Sequence, residues 1–207
     1  MTTDTRNRFA LCILSLLMVL VMGSVVRASH TVPSTCQGKN VTIPGTDGDD
    51  DPLNGTNNDD VIAGGDGTDR VFALDASDTV CGNADPDILL GGNGIDSIEG
   101  NDGSDNIEGG AHSDTIVGGP GADNMTGQNG DDTILGWAGA DTLSGRGEDD
   151  FLRGDDDNDD FADGYGGDIL RGGGGTADEW WPCQDAIGDS NQDIEIIYTQ
   201  SVSYCSL

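Results

Sequence analysis

The chain is 207 residues long and carries 39 acidic side chains against 8 basic ones, a formal charge of −31. That balance excludes nucleic acid as a partner, because its binding needs clustered Lys and Arg, and it excludes docking on anionic membrane surfaces. With 34 glycines and only 5% aromatic residues, such a chain repels itself into disorder unless an internal repeat or bound cations organise it.

At the amino end, Arg6 and Arg8 precede an apolar run from Phe9 to Val26, and Val26-Arg27-Ala28 offers a cleavage site. This pattern predicts a secretory signal peptide over residues 1–28. An uncleaved anchor is the other reading, since the run nears spanning length. Both readings export the remainder, so the expected location is extracellular, with no membrane insertion once the signal is removed. Removal takes out Cys12 and leaves Cys36, Cys81, Cys183 and Cys205. An even count in an exported chain implies two disulfides. Three pairings are open; Cys36–Cys81 with Cys183–Cys205, one at each end, is favoured. None of the four lies in a C-x-x-C, so neither zinc nor redox chemistry is expected. Residues 29–44 read as a short lead-in or cap, with a strand edge at Val41 and Ile43.

A repeat dominates residues 45–171. Written in nines, the blocks start at Gly55, Gly64, Ala73, Gly82, Gly91, Gly100, Gly109, Gly118, Gly127, Gly136, Gly145, Gly154 and Asp163, without insertion. The sixth place is always aspartate: Asp60, Asp69, Asp78, Asp87, Asp96, Asp105, Asp114, Asp123, Asp132, Asp141, Asp150, Asp159 and Asp168. The eighth place is always apolar, from Ile62 through Val71 and Val80 to Phe161 and Leu170. A looser block, Gly45-Thr46-Asp47-Gly48-Asp49-Asp50, has one extra residue near Pro52 and opens the array. Blocks 64–72 and 91–99 match G-G-x-G-x-D-x-U-x throughout. The run resembles the RTX, or haemolysin-type, calcium-binding nonapeptide repeat family. The resemblance implies an all-β fold, a parallel β-roll or right-handed β-helix solenoid of about thirteen nine-residue repeats, folded by calcium.

The residue types support the same picture. Glycine at the first and fourth places permits tight turns, and the last three residues of each block form a short strand with the eighth-place residue inward. Two blocks make one coil. One inner ladder is then Ile62, Val80, Ile98, Ile116, Ile134, Leu152 and Leu170; the facing one is Val71, Leu89, Ile107, Met125, Leu143 and Phe161. So thin a core needs cations to hold its acidic loops. Calcium takes six to eight oxygens in flexible geometry, whereas magnesium demands a stricter octahedron. The expected ligands are the thirteen sixth-place aspartates, backbone carbonyls, and the third-place side chains of Asp66, Asn93, Asp102 and Asn129. Each ion is expected between loops two blocks apart, which allows at most about eleven ions. Fourth-place residues other than glycine (Asn58, Ala76, Asp85, His112, Glu148, Asp157) predict weaker sites over 73–90 and near His112, and the best sites over 91–108 and 118–144.

Rival motifs dissolve into the repeat. The side chains of contiguous His112-Ser113-Asp114 diverge, so they form no triad. Asp155–Asp160 lacks the EF-hand glycine and glutamate. Arg153-Gly154-Asp155 and the glycan-acceptor patterns at Asn40, Asn54 and Asn124 fall where turn residues belong. Residues 172–207, with Trp180, Trp181 and the alternating segment Asp193–Tyr198, read as a carboxyl-terminal cap. Many RTX proteins are similar in carrying an export signal at that end; here the amino-terminal signal takes that place. No catalytic constellation is present, so an enzyme is not expected. The functional expectation is a secreted calcium-binding module. The alternative is an adhesion or surface-assembly protein with structural calcium and a cell-surface or polymer partner, for which outward Phe72, Leu90, Val117 and Leu135 offer a contact face.

Overall fold

The computed structural model describes residues 33–174 and 179–180. The signal-peptide residues, the Cys183–Cys205 pair and the segment Asp193–Tyr198 lie outside the described residues. The chain opens with a two-stranded antiparallel hairpin, Thr35–Cys36 against Lys39–Asn40. Parallel strands follow, and they alternate between two sheets of eight. The first sheet contains Ile43–Pro44, Val61–Asp66, Thr79–Ala84, Ser97–Asp102, Thr115–Pro120, Thr133–Ala138, Phe151–Asp156 and Ile169–Gly173. The second contains Leu53–Asn54, Arg70–Asp75, Ile88–Asn93, Asn106–Ala111, Asn124–Asn129, Thr142–Gly147, Asp160–Tyr165 and Glu179–Trp180. No helix occurs among the described residues.

This is the expected parallel β-solenoid, with about seven turns. Thirteen overstates the number of structural repeats. One nine-residue block supplies a single strand and half a coil, so the unit that closes on itself is the two-block coil. From Val61–Asp66 to Asp160–Tyr165 the strands also run six residues, as in Ser97–Asp102, rather than three. Each of these begins at the seventh place of one block and continues through the third place of the next. Its seventh- and ninth-place residues face out, and the eighth-place residue and the following first-place glycine face in, as in the partly buried Ser97 and Glu99 against buried Ile98 and Gly100.

The register is set by the eighth-place residues. Ile98 pairs with Val80 and Ile116, and Ile107 with Leu89 and Met125. Both predicted ladders are therefore present and buried, with Ile43 and Leu53 packed against their amino-terminal end. The core is one residue wide per strand, so each coil is buried mainly by the coils above and below it. The looser opening block joins the array through Gly45, whose N–H donates to the Ala63 carbonyl, with its extra residue taken up beside the cis Asp51–Pro52 peptide. Cys36 and Cys81 are bonded, as favoured from the sequence, with Cα atoms 5.8 Å apart.

Truncating one ladder residue leaves a gap that only the neighbouring coils can fill. Ile116→Ala should destabilise the folded protein by about 2–5 kcal/mol. Val117→Ala, on the outer face of the same strand, should cost no more than about 1 kcal/mol. Denaturant melts of the two variants check this.

Candidate metal centre

The sixth-place aspartates do not hang in solvent from the turns. They form two buried columns, one along each edge of the solenoid, and from Asp69 onward each is 2% exposed or less. In one column the backbone N–H of Asp60, Asp78, Asp96, Asp114, Asp132 and Asp150 donates to Oδ1 of the aspartate one coil on, at 2.8 Å each time. The other column runs the same way from Asp69 through Asp87, Asp105, Asp123 and Asp141 to Asp159, at 2.8–3.0 Å. Its first member is Asp50, whose N–H donates to Asp69 Oδ1 at 2.9 Å. Sequence reading missed Asp50 as a site residue. It is the sixth place of the opening block, displaced by the extra residue near Pro52.

One oxygen of each carboxylate after the first in its column is thus committed to the backbone of its neighbour. The other is not. Oδ2 of Asp69, Asp78, Asp87, Asp96, Asp105, Asp114, Asp123, Asp132, Asp141 and Asp150 is buried without a hydrogen-bond partner. A buried, unsatisfied carboxylate oxygen costs free energy that a folded protein does not normally tolerate. The first-place glycine explains how the carboxylate fits. A Cβ on Gly91 would stand 2.5 Å from both Asp96 Oδ2 and the Gly109 carbonyl oxygen one coil on. The same pair of oxygens faces Gly100, from Asp105 and Gly118. At these positions first-place glycine gives the carboxylate room, although Ala73 holds the same place beside Asp78 and Asp163 beside Asp168. The glycine was expected to serve backbone freedom; the left-handed positions are instead the fourth place and, unexpectedly, the second. Leu74 (φ 87°), Trp137 (φ 84°) and Arg146 (φ 82°) are second-place residues, and Ala76 (φ 84°), His112 (φ 82°) and Glu148 (φ 75°) are fourth-place residues. Each such residue costs of order 1 kcal/mol or more.

The aspartate columns run unbroken through 73–90, where weaker sites are expected. The departures from consensus there show as backbone strain, at Leu74, Ala76 and Asp85 (φ 71°). The third-place candidates lie at strand ends: Asn93, Asp102 and Asn129 are exposed and Asp66 is partly buried. Asn93 Nδ2 donates to Asp75 Oδ1 at 2.8 Å, one coil back. Among the described residues no three His, Cys, Asp or Glu side chains converge on one point. A cation held here would draw most of its ligands from backbone carbonyls, with the buried Oδ2 oxygens supplying charge. An all-oxygen set of that kind suits a hard, geometrically tolerant cation such as calcium, so these residues fit the metal that the sequence calls for.

Burial dominates the electrostatics. It pushes the carboxyls of Asp87 and Asp150 up to about 8, Asp114 to about 7, and Asp69, Asp78, Asp105, Asp123, Asp132 and Asp141 to about 6. Asp96 is raised by the same cause. The donated backbone N–H opposes the shift at each. Like charges reinforce it: Asp105 and Asp69 act on Asp87, and Asp132 and Asp168 on Asp150.

A folded-state pKa above the unfolded value means that the metal-free fold binds extra protons. Their stabilising contribution is complete below the ordinary carboxylate range and is lost as pH rises through about 6 to 8. Metal-free protein should therefore gain folded structure, and a melting transition, near about pH 4.5, and keep little of either near about pH 8.5. In saturating calcium the order should reverse, since protons and the cation compete for the same oxygens. Thermal melts followed by circular dichroism across pH, with and without calcium, measure both trends. Gly100→Ala, which puts a methyl group against the Asp105 carboxylate, should raise the calcium needed for folding.

The RTX calcium-binding nonapeptide repeat model matches the chain repeatedly, over residues 44–80, 54–89, 82–116, 90–125, 108–143 and 117–152. No curated protein and no solved structure matches it. The matched segments together span more than half of the chain and contain most of both aspartate columns, and on that ground the chain belongs to the RTX calcium-binding nonapeptide repeat family.

Proposed function

We propose that this chain is an exported calcium-binding module whose solenoid is completed by Ca²⁺. The observation that carries this reading is the double column of buried aspartates, each with one oxygen satisfied by backbone and, from Asp69 to Asp150, the other left bare. Charge buried in this way is sustained only when it is compensated. The residues that would hold the ions are these aspartates, together with turn carbonyls and first-place glycine carbonyls such as that of Gly109. Calcium, when bound, supplies positive charge and oxygen coordination between successive turns. The chain's own residues do the rest. First-place glycines keep the carboxylates' space open, left-handed second and fourth places shape the turns, and the aliphatic ladders align the coils. Export follows from the amino-terminal segment and suits a family that works where calcium is plentiful.

A second reading, adhesion with calcium only structural, is favoured by one feature. Trp137 is 54% exposed on the outer face of the first sheet, beside Val117 and a small cleft floored by Gly118 and Gly119. The ninth-place residues named from sequence, Phe72, Leu90, Val117 and Leu135, are partly buried by their column neighbours, which leaves Trp137 as the prominent contact group there.

Far-UV circular dichroism of metal-free protein should show little β signal near neutral pH. Calcium should raise it cooperatively, with a midpoint on the order of 10⁻⁴–10⁻³ M, and equal magnesium should not. A spectrum already ordered without metal, or one indifferent to calcium, overturns the proposal. Trp137→Ala should leave this titration unchanged.

A further inference from the structure

The first coil satisfies its aspartates differently from the rest. Thr56 donates to Asp60 Oδ2 through both its backbone N–H, at 2.7 Å, and its hydroxyl, at 2.8 Å. The Thr46 N–H donates to Asp50 Oδ2 at 2.7 Å. These are the oxygens that stand bare from Asp69 to Asp150. The cause is local. Thr46 and Thr56 hold the second place, which is left-handed in every later block from Gly65 to Gly173. A β-branched residue is costly in that conformation, and neither threonine adopts it. The amide turns to its own aspartate instead. Accordingly, the strands here stop at Pro44 and Asn54, before the threonine, whereas the later ones run through the second place.

A second, independent feature fixes the same end. Cys36, only 1% exposed, is bonded to Cys81 across 45 residues of chain. Lys39 Nζ donates to Thr79 Oγ1 at 2.7 Å, and Ser97 Oγ donates to Gln37 Oε1 at 2.6 Å. The hairpin is thereby laid across the outer face of the first sheet, over strands Thr79–Ala84 and Ser97–Asp102.

We propose that the array begins with a metal-free cap: the Asp50 and Asp60 turns hold no calcium, because Thr46 and Thr56 fill the role that the ion fills further along. This rests on the calcium reading above and sets where the ion ladder starts. The cap is closed by neutral donors and tied by a covalent bridge, so it persists when calcium is scarce. Of the sixth-place aspartates proposed from sequence as ligands, Asp60 is the one this removes.

The test is a count of bound calcium by native mass spectrometry on the disulfide-intact protein. Asp60→Asn should bind as many ions as wild type, while Asp96→Asn should bind fewer. Thr56→Gly, which restores the G-G opening of the repeat and keeps the carboxylate, should gain an ion. If Asp60→Asn loses calcium as Asp96→Asn does, the cap is a metal site and the inference is overturned. If Asp60→Asn does not fold, Thr56→Gly decides: a gained ion supports the cap and an unchanged count overturns it. If Asp96→Asn also keeps every ion, the calcium reading of the ladder itself is what fails. Hydrogen exchange gives a second readout. Without calcium, the Thr46 and Thr56 amides should exchange about tenfold or more slowly than those of residues 115–135, and equal rates count against the cap.

Discussion

Everything in this structure depends on one hydrogen bond repeated along two edges, from the backbone N–H of an aspartate to the carboxylate of the aspartate one coil on. That bond fixes the coil-to-coil register from both ends of each strand. It draws the carboxylate inside, against a first-place Cα that carries only a hydrogen in every block except those opened by Ala73 and Asp163. It also leaves the second carboxylate oxygen facing inward with nothing to accept from. The spacing of the repeat, its glycines and its demand for a cation are three results of one arrangement.

The stabilising and destabilising parts of this design are spatially separated. The aliphatic ladders run down the centre, uninterrupted from Ile62 to Leu170. The strain and charge lie at the two edges, in left-handed Leu74, Trp137 and Arg146 and in the aspartate columns. A core only one side chain wide per strand leaves little reserve against such costs. On the proposed reading, folding and ion binding are one event, because the site exists only where two turns are stacked and the turns stack only when their charge is answered. The hairpin at the amino end is outside this coupling: its contacts include a disulfide, an ammonium–hydroxyl bond and the Gln37 amide's bonds to the hydroxyl and carbonyl of Ser97.

Most of the fold was legible in the residues. The aspartate two places before every apolar residue gave the register, the inward ladders and the alternation between sheets, while the cysteines left three pairings open, of which the favoured one contains the Cys36–Cys81 bridge. The full strand length was not legible, because its second half is written in glycine and polar residues such as Gly100-Asn101-Asp102, which have poor strand propensity and are held by their neighbours' ladders. The left-handed second place was hidden for a different reason: glycine occupies it in some blocks, but Leu, Asn, Gln, Trp, Arg and Asp occupy it in the others, which masks the preference. Asp50 escaped because a single inserted residue shifts it out of phase. The double role of the sixth-place carboxylate, half structural and half available, could emerge only once both of its oxygens had been placed.

Because two blocks make a coil and both sheets carry the same inward pattern, changes in array length have unequal effects. Loss of eighteen residues would shorten the solenoid and leave every column as it was. Loss of nine would still bury each apolar residue and still align the aspartates, but every later block would move to the opposite sheet. With a loss between Val117 and Thr133, Leu135, Trp137, Phe151 and Arg153 would together leave the face they now share with Val117. Over evolutionary time, single-block drift is open to a lineage that needs only the metal-bound roll. A lineage that uses one outer face is confined to gaining or losing blocks in pairs.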